Sequence, residues 1–496
     1  MTHAAHTSTI SLRSVLPDPS GVPELHVADL RIDSREIQAG DAFVALAGTR
    51  NHGFAHLGDA ILRGAKVVLF DPREASVPAA ADERITFVPV QNLRGSLGTI
   101  AKRVYGDPSS DLQIAGFTGT NGKTTCAWLY ALCRDVDAMY VGTLGAGRHD
   151  ALQSTRHTTQ DVLALVRTLA GFKRGGARHV ALEVSSHALD QGRIDGVRIP
   201  FAAFTNLTRD HLDYHGSMEA YGEAKSKLFS HPGVEQAVIN IDDAFGYALA
   251  RRFESDVEVT RVSVAGTQGD RGRWVAAKSI RCESSGISIS GQSYAGKFEL
   301  FSPLVGSFNA ENLLVVLGML LAAGVSLEHS LAALREVSAP PGRMEVFGRS
   351  SGPRVIVDYA HTPDALMKVL AAVRAHTTGV IWCVFGCGGD RDVGKRPLMA
   401  QAAESGADRV IVTDDNPRTE DGDRIVAMIS EGFTGRVPVE VERDREQAIR
   451  SAYRKARPED VVLVAGKGHE NEQIYGTEVR CFSDRQVALD LVREAA

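Results

Sequence analysis

The run Ile114-Ala-Gly-Phe-Thr-Gly-Thr-Asn-Gly-Lys-Thr-Thr125 restricts this chain more than any other stretch. Apolar residues lead into a glycine-rich turn, and helix-forming residues leave it. A strand that turns this tightly into a helix presents the helix's first unpaired N–H groups outward, and such groups bind anions. The backbone of Gly119, Thr120, Asn121, Gly122 and Lys123 is thus expected to cradle the phosphates of a nucleoside triphosphate. Lys123 would neutralise the terminal phosphates, and the Thr124 hydroxyl would reach a magnesium ion, with Thr125 beside it. The spacing is not the general G-x-x-x-x-G-K-[ST] one, because Phe117 stands where its first glycine belongs. The glycines are Gly116, Gly119 and Gly122, giving the narrower form G-T-N-G-K-T.

A chain of 496 residues exceeds what one hydrophobic core serves, so about three or four domains are expected. A net charge of −6, with 44% hydrophobic and 23% charged residues, describes a globular enzyme and argues against nonspecific binding to nucleic acid or anionic membrane. Met1-Thr-His-Ala-Ala-His-Thr7 lacks a basic stretch followed by an apolar run, and no segment is apolar over a bilayer's width. A cytoplasmic protein without membrane insertion is expected, and a monomer. Six cysteines (Cys126, Cys133, Cys282, Cys383, Cys387, Cys481) lack paired spacing and read as reduced thiols in or near the core.

Before the phosphate loop, strand-like runs at Ala42–Leu46 and Lys66–Phe70 flank a helical stretch around Leu57–Arg63. They make a small α/β domain, which ends at the turn-rich Gly106-Asp-Pro-Ser-Ser110. From Leu112, apolar runs at Val180–Val184, Phe201–Phe204 and Ala237–Ile241 alternate with helix-period segments at Val162–Leu169 and Ala220–Phe229, the pattern of a parallel, doubly wound sheet. Val257–Phe301 reads as an antiparallel patch appended to it. Pro340-Pro-Gly342 marks the next boundary. The last third repeats a strand and a polar loop four times: Val355–Val357, Val380–Phe385, Arg409–Val412 and Val461–Val464, followed by loops at Asp358–Pro363, Gly386–Arg391, Asp414–Arg418 and Gly466–Glu470. In an open parallel sheet such loops gather at the carboxyl edge, where ligands bind. The fold class is therefore α/β in three domains, at residues 1–108, 109–341 and 342–496.

Magnesium needs hard oxygen ligands, and Glu183, ending an apolar strand, is the candidate carboxylate. His211 and His215 imitate zinc spacing but lack a third nitrogen or sulfur ligand, so zinc is the weaker reading.

Five separated motifs then carry a family resemblance: Asp33-Ser-Arg35 with Gly40-Asp-Ala-Phe-Val44; Gly119–Thr125; Glu183-Val-Ser-Ser-His-Ala-Leu189; Ala224-Lys-Ser-Lys-Leu-Phe229; and Asp415-Asn-Pro-Arg418 with Gly466-Lys-Gly-His-Glu470. The whole chain resembles the muramyl ligases. The resemblance implies an N-terminal domain for a nucleotide sugar, a central P-loop ATPase-like domain and a C-terminal Rossmann-like domain for an amino acid. It implies ATP and Mg2+ as cofactors and an acyl-phosphate route to an amide. In it Lys123, Glu183, His211 and Lys225 are catalytic, Lys225 as a carbamate that joins Thr124, Glu183 and His211 around metal. Asn309, Arg343 and Asp358 would contact ATP. Ser34, Thr158, Thr159, Ser185, Gln191 and Arg193 would hold UDP-N-acetylmuramoyl-L-alanyl-D-glutamate. Gln160 departs from relatives that carry proline there, and the paired threonines otherwise read as a helix cap before Asp161.

For the amino acid, Arg418 offers a planar fork for a carboxylate, and meso-diaminopimelate has a distal carboxylate that L-lysine lacks. The resemblance adds Arg391, Asp415, Asn416, Pro417, Gly466 and Glu470 to that site. Addition of meso-diaminopimelate to the UDP-muramyl dipeptide is the expected reaction; addition of D-alanyl-D-alanine or of lysine is the alternative. Folylpolyglutamate synthases share the ligase core without the leading domain. A nucleotide-switched binding protein would not need Glu183, His211 and Lys225 together.

Overall fold

The computed structural model describes residues 9–48, 51–79, 82–134, 136–267, 272–348 and 352–494. The Met1–Thr7 segment considered above lies outside them. By internal contacts the chain forms two compact units, residues 1–120, 134–203 and 208–237 in the first, and 121–133, 204–207 and 238–496 in the second.

The first unit opens with a four-stranded parallel sheet of Leu30–Arg31, Ala42–Ala45, Val67–Phe70 and Thr86–Pro89, in that order. Ala42–Ala45 and Val67–Phe70 are buried at every position, which is why both read as unbroken apolar runs and not as alternating ones. Phe54 packs against Phe70 and Phe87 with ring centroids 5.6 and 6.0 Å away. A second sheet in this unit runs Ala151–Gln153, Gly145–Arg148, Ala138–Gly142, His179–Glu183, Gln113–Thr118. Its last three strands are parallel, and their register sets Glu183 opposite Phe117, beside the start of the phosphate loop. Helix Val162–Arg174 is capped by Asp161, whose side chain accepts from Ala164 N–H. The cap reading of Thr158 and Thr159 therefore fails, because Asp161 already fills that role.

In the second unit, helix Lys123–Cys133 continues the phosphate loop, and helix Phe308–Ala322 is buried along most of its length. The patch expected over Val257–Phe301 holds for Arg273–Glu283, Gly286–Ser293 and Gly296–Ser302, which form an antiparallel meander. It fails for Glu258–Ser263, which pairs in parallel with Arg273–Glu283. Short polar strands alternate in the same way whichever direction they pair, so the sequence pattern does not separate the two pairings.

The rest of that unit is an open sheet ordered Glu345–Phe347, Arg354–Asp358, Val461–Ala465, Ile381–Phe385, Arg409–Val412, Val439–Val441. The four expected strands lie together in it and are parallel. Helices Pro363–Arg374, Lys395–Gly406 and Gly422–Ser430 contribute to one buried cluster, and Arg445–Lys455 with Asp484–Glu494 to the other. Covering both faces makes the doubly wound form, and puts the four polar loops at the carboxyl ends of their strands. Cys126, Cys383 and Cys387 are buried as expected, but Cys481 is exposed, since it ends the short strand Glu478–Cys481, whose residues all face solvent. Among the described residues no helix is long and apolar enough to cross a membrane.

Candidate active site

In the first unit, the strand Gln113–Thr118 runs into Gly119, whose φ of +145° leaves its carbonyl turned toward helix Met218–Ser226. Lys225 on that helix is 1% exposed and donates from Nζ to the Gly119 carbonyl at 2.8 Å. Its Nζ also sits 4.2 Å from the Tyr221 ring centroid. Lys227 points the other way, to Asp190 at 2.8 Å in solvent. Thr120 Oγ1 accepts from Thr208 N–H at 3.0 Å and lies 3.2 Å from the Tyr221 hydroxyl, which burial pushes up to about 12.

His211 caps the short helix Leu212–His215 in a left-handed conformation, φ +50°. Its ring meets that of His187 edge-on at 4.9 Å and lies 6.0 Å from Tyr221. Tyr221 thus stands between His211 and Lys225. His187 also neighbours His215 at 5.3 Å, and burial holds both below the usual histidine range. Among the described residues no group of three or more His, Cys, Asp or Glu side chains is arranged to hold a metal.

Glu183 is fully buried. Its carboxylate accepts from the Tyr140 hydroxyl, from Thr143 N–H at 2.9 Å and from the Thr143 hydroxyl at 3.3 Å. Neither Tyr140 nor Thr143 carries a motif; only the strand pairing of Ala138–Gly142 with His179–Glu183 brings them there. Thr143 leads on to Thr158, hydroxyl to hydroxyl at 3.0 Å, and Thr159 donates to the Glu183 carbonyl at 2.9 Å. Arg193 donates to the Thr159 carbonyl at 2.9 Å and, through Nε and Nη2, to Gln191 at 3.0 and 2.6 Å. Ser185 caps helix Ser186–Asp190, which is a structural use of its hydroxyl. Of these, Gln191 and Arg193 line an open cavity of about 770 Å³, together with Ser34, Arg35, Arg94 and Arg156, among others. Ser34 is buried at its wall; Arg35 grips Asp33 through two nitrogens and holds that carboxyl down at about 2. Sequence reasoning missed Arg94 and Arg156, which lie outside every motif.

In the second unit, Gly122 has φ +85°, and a Cβ there would come 2.4 Å from Asn312 Oδ1. Asn312 donates to Asn309 Oδ1 at 2.8 Å, and Asn309 donates to the Val305 carbonyl at 2.7 Å. Asn309 is thereby linked through Asn312 to the phosphate loop's glycine. Thr205 donates to the Asn121 carbonyl at 2.5 Å. Asp358 accepts from Met344 and Ala360 N–H groups, each at 2.8 Å. Burial pushes its carboxyl up, against the pull of Arg343. The Arg343 guanidinium lies 4.7 Å from the Tyr359 ring centroid, and its buried Nε has no hydrogen-bond partner.

The expected amino-acid loops meet in this unit. Gly389 N–H donates to the Asn416 carbonyl at 2.9 Å, and a Cβ on Gly389 would fall 1.8 Å from the Pro417 carbonyl oxygen. Arg418, at φ +53°, donates from Nη1 to the Gly389 carbonyl at 2.8 Å. A Cβ on Gly388 would touch both Arg418 Nη1 at 2.9 Å and Arg391 Cγ at 3.7 Å, so the two arginines flank one glycine. Asn416 donates to Glu470 at 3.2 Å, and the fully buried Lys467 reaches both, at 3.2 and 3.1 Å. Asp415 lies beside Gly466, and its carboxyl is raised by burial against the pull of Arg445 and Lys467.

The donor chemistry fits magnesium. Glu183 brings carboxylate oxygen and Thr124 a hydroxyl, both hard donors. The Lys225 amine would repel a cation, but a carbamate on that nitrogen would supply oxygen in its place.

Residues 26–105 match the family model described as "Mur ligase family, catalytic domain", 117–320 that of the "Mur ligase middle domain", and 342–468 that of "Mur ligase, glutamate ligase domain". The chain is 48% identical over 480 residues to the UDP-N-acetylmuramoyl-L-alanyl-D-glutamate--2,6-diaminopimelate ligase of Alkalilimnicola ehrlichii, covering 94% of this chain and 95% of that one. A solved structure described by the same ligase name superposes with a TM-score of 0.70 at 35% identity, over 98% and 99% of the two chains. The D-alanyl-D-alanyl ligase of Acinetobacter baumannii shares the fold, with a TM-score of 0.63 over 95% and 94%, at only 17% identity. With three domain models matched in order and close likeness over nearly its whole length, the chain belongs to the Mur ligase family and has its three-domain α/β fold.

Proposed function

We propose that this chain is the ATP-dependent ligase that joins meso-diaminopimelate to UDP-N-acetylmuramoyl-L-alanyl-D-glutamate in peptidoglycan precursor assembly. The observation that carries the choice of amino acid is the pairing of Arg391 and Arg418 around Gly388, with Asn416 on the same loop as Arg418 and Glu470 on the adjoining one. Two guanidinium groups suit a carboxylate and Glu470 suits an ammonium, and the distal end of meso-diaminopimelate carries both. L-lysine offers no distal carboxylate. Asp415 and Pro417 shape the turn, and Gly466 allows the backbone to approach the ligand.

The reaction runs in two displacements. A substrate carboxylate oxygen attacks the γ-phosphorus of ATP, ADP leaves, and an acyl phosphate forms. The amine nitrogen then attacks the acyl carbon, phosphate leaves, and the amine's proton passes to solvent or a base. Charge neutralisation and alignment do most of the work. The N–H groups of Gly119 to Thr125 and the Lys123 ammonium hold the phosphates, while Asn309, Arg343 and Asp358 bind the rest of ATP. Buried Arg343 Nε is a donor suited to an anionic group. Ser34, Thr158, Thr159, Ser185, Gln191 and Arg193 orient the UDP-muramyl dipeptide. Thr124, Glu183, His211 and Lys225, the last as a carbamate, would hold magnesium, which would supply Lewis-acid stabilisation of phosphoryl charge. We place the domain limits at 108 and 341, a reading supported by the gaps at 106–116 and 321–341 between the matched family models. We also assign the protein to the cytoplasm, where ATP and nucleotide-sugar substrates are found, and expect it to act as a monomer; sedimentation tests the latter.

The test is phosphate release from ATP with magnesium and the UDP-muramyl dipeptide, with product masses determined. The expected product is the diaminopimelate adduct, with none from D-alanyl-D-alanine and little phosphate without an amine. An adduct with D-alanyl-D-alanine alone would overturn the reading.

A further inference from the structure

Two loops carry the arginines assigned above to diaminopimelate, and a second set of side chains fastens those loops together. Arg396, on helix Lys395–Gly406, is fully buried. It grips Glu420 through both terminal nitrogens, at 3.0 and 2.8 Å, and leans on the Gly388 carbonyl at 3.4 Å. Glu420 in turn accepts from Asp390 N–H at 2.6 Å. Asp390 accepts from the Thr419 hydroxyl at 2.7 Å and from Thr419 N–H at 3.2 Å. Every one of these bonds joins the loop bearing Arg391 to the loop bearing Arg418, or anchors that junction to the helix beneath.

The backbone reports the same device. Asp390 and Arg418 both sit at φ +53°, a left-handed conformation that side-chain-bearing residues avoid. Such conformations persist where surrounding contacts over-determine them, and they concentrate at binding sites. Arg418 is held in its own by two backbone bonds, its N–H to the Ile474 carbonyl at 3.0 Å in strand Glu472–Tyr475 and its carbonyl from Gly476 N–H at 2.6 Å in the turn after that strand. Asp390 is held by Glu420 and Thr419. A pair of arginines that must meet one carboxylate repel each other, so their loops need a fastening that does not depend on the ligand.

We propose that Arg396, Asp390 and Glu420 form a clasp that positions Arg391 and Arg418 for the distal carboxylate of the amino acid substrate. They are positioning residues: none contacts substrate, and they act by fixing the distance between two guanidinium groups. The inference rests on the diaminopimelate reading of those arginines.

The experiment measures KM for meso-diaminopimelate, KM for ATP, and the ratio of kcat/KM for meso-diaminopimelate to that for L-lysine, in the full chain with Glu420→Gln and with the double variant Arg396→Met, Glu420→Leu. The double variant removes both charges together, so it does not strand a buried guanidinium, and its melting temperature is measured to check that it is folded. The expected result is a rise of about tenfold in KM for meso-diaminopimelate and a matching fall in the ratio, with KM for ATP within about twofold of the unmodified protein. A merely structural role would lower the melting temperature and leave the ratio alone. A folded double variant with unchanged ratio overturns the clasp. If the unmodified protein does not turn over meso-diaminopimelate, the reading beneath the clasp falls and the clasp with it.

Discussion

The cavity of the first unit and the arginine loops of the second, the two places proposed above to bind substrates, are built in opposite ways. The cavity is open and about 770 Å³ in volume, and Arg35 and Arg156 at its rim are 59% and 45% exposed in their side chains. Their partners there are other surface charges, Asp33 and Glu36, bonds that water weakens. Around the arginine loops, Arg396 on the helix beneath and Lys467 on the adjoining loop are completely buried, and backbone bonds run from loop to loop. A large, flexible substrate with many contact points tolerates an adjustable receptor. A small amino acid offers few atoms, so discrimination demands that its partners be fixed before it arrives.

Lys225, proposed above as a catalytic group, gives the largest expected effect. Lys225→Ala should lower kcat by about a thousandfold, as loss of a principal charge-stabilising group does, and short carboxylates added to the assay should restore part of it. Normal turnover would remove the carbamate from the account. Arg418→Ala comes next: loss of a charge-assisted pair worth about 1.5–3 kcal/mol should raise KM for meso-diaminopimelate by about ten- to a hundredfold, with KM for ATP nearly unchanged. An equal rise in both constants would mean the loops had collapsed, and the contrast between rigid and adjustable sites would blur.

Arg193→Ala should act more mildly, raising KM for the UDP-muramyl dipeptide by about tenfold, since half-buried Gln191 can turn to water for a new donor, while only the buried Thr159 carbonyl is left without one. Steady-state kinetics with the dipeptide varied would check this, and an unchanged constant would remove Arg193 from the cavity's working set.

The smallest effect concerns pH. His376 is 3% exposed, accepts Gly306 N–H on Nε2 at 2.9 Å and donates from Nδ1 to the Glu283 carbonyl at 2.6 Å. Burial lowers its pKa, so the folded protein keeps the ring neutral while the unfolded chain takes a proton near pH 6.5. Its contribution to stability is therefore complete above about pH 6.5 and declines as pH falls below it, by at most about 1.4 kcal/mol per pH unit for one proton. Melting curves between pH 7.5 and 5 should be flatter for His376→Gln than for the unmodified protein. Identical slopes would contradict the neutral ring.

Much of this arrangement was legible in the sequence. Strands such as Ile381–Phe385 and Val461–Ala465 are buried on both faces, so their apolar runs stand out without an alignment. The loop Gly119–Thr125 is marked by glycines whose backbone angles, +145° at Gly119 and +85° at Gly122, suit few other residues. Val439–Val441 escaped notice because it is short and largely exposed, and so carries little apolar signal. Tyr140, Thr143, Arg396 and Glu420 escaped for a different reason. A polar residue bound to a partner far along the chain looks, in sequence, like one facing water. Arg396 and Glu420 are 24 positions apart, and only the doubly wound topology brings their loops together.

One measurement bears most directly on the central claim, that a prefixed pair of guanidinium groups selects the amino acid: the ratio of kcat/KM for meso-diaminopimelate to that for L-lysine, in the unmodified protein and in Arg418→Lys. The account predicts a strong preference for meso-diaminopimelate that falls by about tenfold or more when the planar fork becomes a point charge. A preference for lysine in the unmodified protein, or an unaltered ratio in the variant, would contradict it.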